Sequence, residues 1–465
     1  MVCPSTLGAG LGAVGAAAGV ANAATAAPRY ALYFDQYHTA VLPNKTLTAG
    51  ITHVITAFAN SSLFASDPVG TYTPFMNLSD IRPMFDNGTQ VCLAIGGWGD
   101  TEGFRLGLAT EESRTLYANN IAATMDAHGF DCIDIDHEYP AGNGYDYKQV
   151  PNSDLVSEIE TFPQLLGSIK QAIGGRELSI AVPGLERDMI AFTAESVPLI
   201  DSAVDVVNVM TYDLLNRRDN YTKHHTDIQG SLNAIQAYID RGFAPSKLNL
   251  GMAFYAKYFT LAANTTCTQP IGCPLAPAED AQGQDTGTSG AVTFEASSFP
   301  VTVDPSTLTS STDGSCGTGT TFQCTGSATG GACCSQYGFC GDTTGHCGTG
   351  CQGQYGTCTD GDKKTTAQSF ADALTNGQTD TENGGQWYVD AEAGLFWTYD
   401  TPELLTQKFT DIVAAKGLGG VMAWSLAEDS NDWSLLKAMQ DGVKGLAANA
   451  TTAAAQTKKI RRRRY

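Results

Sequence analysis

The residues best equipped for chemistry lie in one run, "GFDCIDIDHEYPAG", from Gly129 to Gly142. Asp134, Asp136 and Glu138 stand at every second position within it. Alternate residues of an extended strand share one face, so these three carboxylates point the same way, with neighbours roughly 6–7 Å apart. Ile133, Ile135 and His137 take the opposite face. Like charges at that spacing resist ionising together, and the group is expected to keep at least one proton near neutral pH. A retained carboxylic proton is what general acid catalysis requires. Spacing alone leaves two further readings open, ligands for a hard cation or a solvated edge strand. The apolar Phe130, Ile133 and Ile135 weigh against an edge. The β-branched run, with little Gly or Asn, weighs against a calcium loop.

Such a strand needs neighbours to hold it. Short β-rich runs are predicted at Tyr30–Phe34, Thr52–Ala59, Gln90–Ile95, Cys132–Glu138, Leu178–Pro183, Val204–Tyr212, Leu248–Tyr255 and Gly419–Trp424. Several are continuously apolar, as strands covered on both faces should be. Helical patterns lie between them, among them Glu111–His128, Phe162–Ile173 and Ser231–Arg241. Eight strands alternating with helices predict an α/β fold, a (β/α)8 TIM barrel, whose chemistry sits at the C-terminal strand ends. Glu138, Tyr212 and Trp424 all fall at such ends. Between the seventh and eighth strands runs a long insertion, about 256–386, entered through a Gly/Thr/Ser-rich stretch at 305–323 and left through a polar one at 360–385.

The rest of the chain narrows the partners. A net charge of −21 over 465 residues argues against nucleic acid or an anionic membrane, and leaves a neutral polymer compatible. Residues 1–27 are Ala/Gly-rich without an acid and offer small-residue cleavage sites at Ala21-Asn22-Ala23 and Thr25-Ala26-Ala27, so a secretory signal and an extracellular protein are expected. No later stretch is long and apolar enough to span a bilayer. Sequons at Asn44, Asn60, Asn77, Asn87, Asn220, Asn264 and Asn449 add weak support for a secreted glycoprotein. Eight of the 13 cysteines fall between Cys316 and Cys358, a disulfide-stapled module of an oxidising compartment. Adjacent Cys333 and Cys334, and the lack of paired C-x-x-C spacings, disfavour zinc there. Cys267 and Cys273 form a close pair, whereas Cys92 and Cys132, on neighbouring strands, are expected to be buried free thiols. The end of the chain, 447–465, finishes in "TKKIRRRRY" and is expected to be a disordered, solvated tail.

"FDCIDIDHEYP" closely resembles the signature of glycoside hydrolase family 18, the chitinase family. "CLAIGGW" (92–98), "AVPG" (181–184), "NVMTYD" (208–213), "LGMAFYA" (250–256) and "GGVMAWSL" (419–426) are similar to the family's third, fifth, sixth, seventh and eighth strand motifs. Three positions depart from the usual pattern: Cys132 replaces a Gly, His137 a Trp and Ala94 a Ser. The resemblance implies a catalytic barrel over 28–446. It implies Glu138 as general acid/base, with the substrate's own 2-acetamido group as nucleophile and net retention. Asp136 would orient the acetamido group, Asp134 would share a proton with Asp136, and Tyr212 would donate to the acetamido oxygen. Tyr33, Phe58, Gly97, Trp98, Tyr139, Met210, Asp213, Tyr255 and Trp424 would contact sugar, and no metal or organic cofactor would be needed.

The cysteine module, 311–359, resembles hevein-type chitin-binding domains through "CCSQYGFCG" (333–341). That resemblance implies the pairs Cys316–Cys334, Cys324–Cys340, Cys333–Cys347 and Cys351–Cys358. It places Ser335, Tyr337, Phe339 and His346 on the sugar. The reading is therefore a secreted chitinase, expected as a monomer, acting on chitin and chitooligosaccharides. An inactive chitin-binding lectin and an endo-β-N-acetylglucosaminidase on N-glycans are the alternatives.

Overall fold

Eight strands close into a parallel barrel: β1 (Arg29–Asp35), β2 (His53–Ala59), β3 (Gln90–Gly96), β4 (Cys132–Asp136), β5 (Glu177–Pro183), β6 (Val206–Met210), β7 (Leu248–Ala253) and β8 (Gly420–Trp424). The computed structural model describes residues 27–300, 303–348, 350–358, 364–429 and 432–462. The expected signal lies outside them but for Ala27. Every strand is almost wholly buried, because each separates two apolar layers. Its outward side chains, such as Leu93, Ile95, Ile133 and Ile135, pack under the helices. Its inward ones form a second cluster of small and aromatic residues, including Ala31, Ile55, Ala94, Tyr33 and Tyr212. All eight sequence-predicted strands are present, with ends moved by a few residues.

The helix before β4 shows how the chain delivers its carboxylates. Helix Glu111–His128 starts in a capping box between Thr110 and Ser113 and stops at Gly129, whose φ of 79° is the left-handed conformation that ends a helix. Three residues later β4 begins, and Cys132 already faces the barrel interior. By alternation Asp134 and Asp136 must follow it inward.

Cys92 and Cys132 are not free thiols. They are directly opposed in the β3–β4 register, their Cα atoms are 4.4 Å apart, and they form a disulfide. That distance is short enough for the bond with no backbone movement. The five other pairs, Cys267–Cys273, Cys316–Cys334, Cys324–Cys340, Cys333–Cys347 and Cys351–Cys358, are those the residues and the resemblance implied.

The insertion after β7 carries more structure than its polar sequence suggests. Strands Gln378–Asp380, Gly385–Asp390, Leu395–Tyr399, Tyr255–Thr260 and Ser289–Thr293 pair in that order as an antiparallel sheet. The excursion therefore ends beyond residue 386, because its sheet is completed by Leu395–Tyr399, packed on β-strand Tyr255–Thr260. The cysteine module, with small two-stranded pairings at Cys333–Cys334 and Cys340–Gly341, leaves from this sheet. The chain's end is also different from expectation. Helix Ser434–Arg462 runs through the part expected to be disordered, where "AANATTAAAQ" is rich in strong helix formers.

Candidate active site

The C-terminal ends of the strands surround a cleft of about 780 Å³. Of the residues predicted from the sequence, Glu138, Asp136, Tyr212, Tyr33, Phe58, Gly97, Trp98, Tyr139, Met210, Asp213, Tyr255 and Trp424 all line it. Asp134 lies behind them, with no exposed surface. The module residues Ser335, Tyr337, Phe339 and His346 are not part of it.

Asp134 is held by donors from three strands. Tyr33 Oη donates to Oδ2 at 2.7 Å, Ser179 Oγ to Oδ1 at 2.5 Å and Asn208 Nδ2 to Oδ1 at 3.1 Å. Ser179 faces Asp134 in the β4–β5 register and supplies a hydroxyl that Ala94 cannot. Asn249 in turn donates to Asn208 at 2.9 Å, so a polar chain runs across the barrel interior to the carboxylate. Tyr33 touches the cleft but is only 1 % exposed, and its hydroxyl is committed to Asp134. Burial pushes Asp134 upward, and these three donors oppose the shift.

Asp136 has no such support. Its Oδ1 is buried without a hydrogen-bond partner. Burial first, then the neighbouring Glu138 and Asp134 charges, raise its carboxyl well above the usual range. A buried oxygen left unpaired is costly, and a substrate group that pairs with it recovers that cost. Glu138 is raised to about 7, by burial against a hydrogen bond from Tyr139, and further by the Asp213 and Asp188 charges. Its proton is thus retained up to near neutral pH, as expected of one member of the alternating group.

The backbone at the mouth of β3 comes close to these groups. Gly97 N–H donates to the Asp136 carbonyl at 2.8 Å, and a Cβ on Gly97, at φ 92°, would collide with the Phe58 ring. Trp424 forms the floor, stacked on Phe58 at 5.4 Å between centroids and tilted against Tyr33 at 5.4 Å. Trp98 stands at the rim, 48 % exposed, beside Tyr139 and Tyr145. Among the described residues, the hydrogen-bond partner of Tyr212 Oη is Met422 Sδ, at 3.7 Å, a weak acceptor that leaves the hydroxyl able to donate to a ligand. Asp213, at φ 54°, accepts from Tyr255 Oη at 2.8 Å and Lys257 Nζ at 2.9 Å. Against burial, the Lys257 ammonium and His225 hold it below the usual carboxylate range.

His137, on the outer face of β4, stacks on Phe104 at 4.5 Å and stays out of the cleft. Among the described residues, the groupings close enough to hold a metal ion are Cys316, Cys324 and Cys340, all in disulfides, and Asp35, His38 and Glu428. The carboxylates Asp134, Asp136 and Glu138 are not among them. On the module, Tyr337 and Phe339 are 73 % and 59 % exposed, whereas Ser335 is buried, its hydroxyl accepting Phe339 N–H. His346 is half-buried, with Nδ1 2.7 Å from Thr343 Oγ1.

Several lining groups were missed. Arg218 lies 3.9 Å above the Tyr147 ring and 5.8 Å from that of Trp98, and Asp188 sits 3.6 Å from its guanidinium. Glu279 and Lys257 enter from the insertion. Arg218 follows "NVMTYD" by five residues and Asp188 follows "AVPG" by four, a signal that could have been followed; Glu279 carried none.

Because Glu138 is raised, the acid it supplies is present below about pH 7 and lost as pH rises through that value. Asp213→Asn removes one of the charges that raise it. The alkaline limb of kcat/KM against pH should then move to lower pH; an unmoved limb would mean that another group sets it.

The fold and the sequence can now be placed among known proteins. The chain is 29% identical over 233 residues to sporulation-specific chitinase 2 of Saccharomyces cerevisiae, covering 47% of this chain and 43% of that protein. It is 27% identical over 267 residues to chitinase 1 of Aphanocladium album, covering 50% and 59%. The chain thus spans about half the length of the curated relatives it matches. The structure is similar to catalytic domain 2 of the Ostrinia furnacalis Group II chitinase, with a TM-score of 0.60 and 17% identity over 90% of this chain and 97% of that one. That domain has also been solved, as a mutant, in complex with penta-N-acetylchitooctaose. The model described as Glycosyl hydrolases family 18 matches residues 29–429, which span all eight barrel strands and every cleft residue named above, and the chain belongs to that family.

Proposed function

We propose that the protein is a chitinase, hydrolysing β-1,4-linked N-acetylglucosamine polymers with retention. The observation that carries this reading is the unpaired Asp136 oxygen beside Glu138, whose carboxyl burial raises to about 7, over an aromatic floor. A sugar bearing a 2-acetamido group supplies what that site lacks. Its N–H pairs with Asp136, its oxygen takes the free Tyr212 hydroxyl, and its apolar face lies on Trp424. So held, the acetamido oxygen attacks the anomeric carbon as Glu138 protonates the departing glycosidic oxygen. The resulting oxazolinium is opened by water that Glu138 deprotonates. Asp136 and Tyr212 are fixed dipoles aimed at the charge that develops, commonly the largest catalytic term. Product sizes and viscosity loss on soluble chitin test the reading. Release of intact N-glycans instead would favour the glycosidase alternative, and binding without cleavage would favour the lectin.

The module is read as a docking unit for solid chitin. Its exposed Tyr337 and Phe339 offer ring faces to a sugar surface, and tethering raises the frequency with which the cleft meets the polymer. Tyr337→Ala with Phe339→Ala should lower activity on insoluble chitin severalfold and leave a short soluble oligomer unaffected. Equal losses on both substrates would assign the module a structural role. Secretion is supported by chemistry: 12 of the 13 cysteines are paired among the described residues, and such density belongs to an oxidising compartment. Asn44, Asn60, Asn77, Asn87, Asn220 and Asn264 are all exposed, as glycan acceptors must be. No helix among the described residues is long and apolar enough to cross a membrane.

A further inference from the structure

Behind the cleft floor, three carboxylates from separate parts of the chain converge on one imidazole. His38 Nδ1 lies 2.8 Å from Asp35 Oδ1 and 3.5 Å from Glu428 Oε1, and its Nε2 lies 3.8 Å from Glu295 Oε2. Asp35 ends β1, Glu428 belongs to the turn after β8, and Glu295 follows the inserted strand Ser289–Thr293. These are the ionisable groups that face His38. Asp35 and Glu428 are buried, and among the described residues no Lys or Arg pairs with any of the three.

Two paths lead from this cluster to Trp424. Ser425, the next residue, donates its hydroxyl to Asp35 Oδ2 at 2.5 Å, and Leu426 N–H donates to the Tyr33 carbonyl at 2.8 Å. Trp424 ends β8, and Glu428 follows it by four residues in the turn. The inserted sheet is drawn to the same point, because Phe294 N–H donates to the Glu428 carbonyl at 2.8 Å.

We propose that His38 is a positioning residue for the reaction, its imidazolium clamping the end of β1, the turn after β8 and the inserted sheet so that the Trp424 indole stays in place under the sugar. The role of the clamp in binding rests on the reading of Trp424 as the sugar floor. Without the proton, Asp35, Glu428 and Glu295 face one another with no cation between them, and like charges this close repel. The turn that carries Glu428 also carries Trp424, so relief of that repulsion displaces the floor. The local titrations act in one direction. The bond to Asp35, outweighing burial, raises His38 to about 8, and burial, against His38, raises Glu428 to about 8. Above that pH the cluster loses its cation and Glu428 gains a charge.

Binding is best read in the Glu138→Gln background, where turnover does not interfere. Affinity for a chitin tetrasaccharide, measured by calorimetry, should be level up to about pH 7.5 and then fall roughly three- to tenfold, the worth of one aromatic stacking contact. His38→Gln keeps a hydrogen bond to Asp35 and carries no charge. It should bind more weakly already at pH 6, and the step that remains, that of Glu428, should move to higher pH because the cation that lowers Glu428 is gone. Adding Glu428→Gln removes that remaining step and should leave a flat profile. Parental affinity and a parental step in His38→Gln would overturn the proposal. The fluorescence of Trp424, isolated by subtracting a Trp424→Phe variant, gives a ligand-free readout. It should titrate near pH 8 and move to higher pH in His38→Gln; a titration unchanged by that substitution would equally overturn the clamp. Absence of saccharide binding in every variant at every pH would defeat the chitinase reading, and the fluorescence titration would still decide the clamp.

Discussion

Glu138→Gln is expected to lower turnover on soluble chitin oligomers by at least about 10²–10⁴-fold, the usual worth of general acid catalysis, with oligosaccharide binding retained. The amide keeps the size and reach of the acid and loses the proton that can be transferred. Asp136 is buried with an oxygen turned to the substrate's acetamido position, and Asp213, against burial, is held low by Lys257 and His225 and has no proton to give near neutral pH. Single-turnover rates together with direct binding separate the two quantities. NMR of the first product formed by the unaltered enzyme should show a retained anomer. Near-normal turnover in Glu138→Gln, or an inverted product, would remove the basis of the mechanism.

Asp136→Asn should cost about 10²–10³-fold in kcat, the loss seen when one preorganised partner of a developing charge is removed. The substitution leaves the buried position filled but ends its titration. Burial raises both Asp136 and Glu138, and the Glu138 charge raises Asp136 further, so their protons leave in linked steps. With Asn at 136 the alkaline side of the kcat profile should follow a single group, that of Glu138. Tyr212→Phe, which removes one donor and no titrating group, should slow the reaction less and leave the profile's shape intact. An Asp136→Asn profile that superimposes on the unaltered one would show that the pair is not coupled in the working enzyme.

The carboxylate string was legible because the information is local. A period of two along one strand decides which side chains share a face, and "DCIDIDHE" shows that period with apolar residues between. The barrel was legible for a related reason. Strands covered on both faces are apolar on both, and the runs at Tyr30–Phe34, Val91–Ile95 and Val421–Trp424 show that pattern. The inserted sheet was harder, since Gln378–Asp380 is short, polar and largely exposed, and Gly385–Asp390 shows no clean alternation, so pairing rather than pattern holds them.

What the sequence by itself determined, then, is the chemical inventory: three inward carboxylates, the aromatic strand ends and a stapled module. The tertiary structure decided their states and their company. Whether Cys92 and Cys132 bond depends on the register of two strands 40 residues apart, and opposition at 4.4 Å turns two expected thiols into a disulfide. Asp134 is an accepting carboxylate because Tyr33, Ser179 and Asn208 reach it from three other strands, whereas Asp136, two residues on, is left with an unpaired oxygen. Arg218 and Glu279 reach the cleft on loops whose paths no periodicity describes, and His38 meets Glu428 across 390 residues of chain. Local alternation sets the direction of a side chain. Its proton, its partners and its burial depend on atoms brought from elsewhere in the chain, and only the closed barrel puts them there.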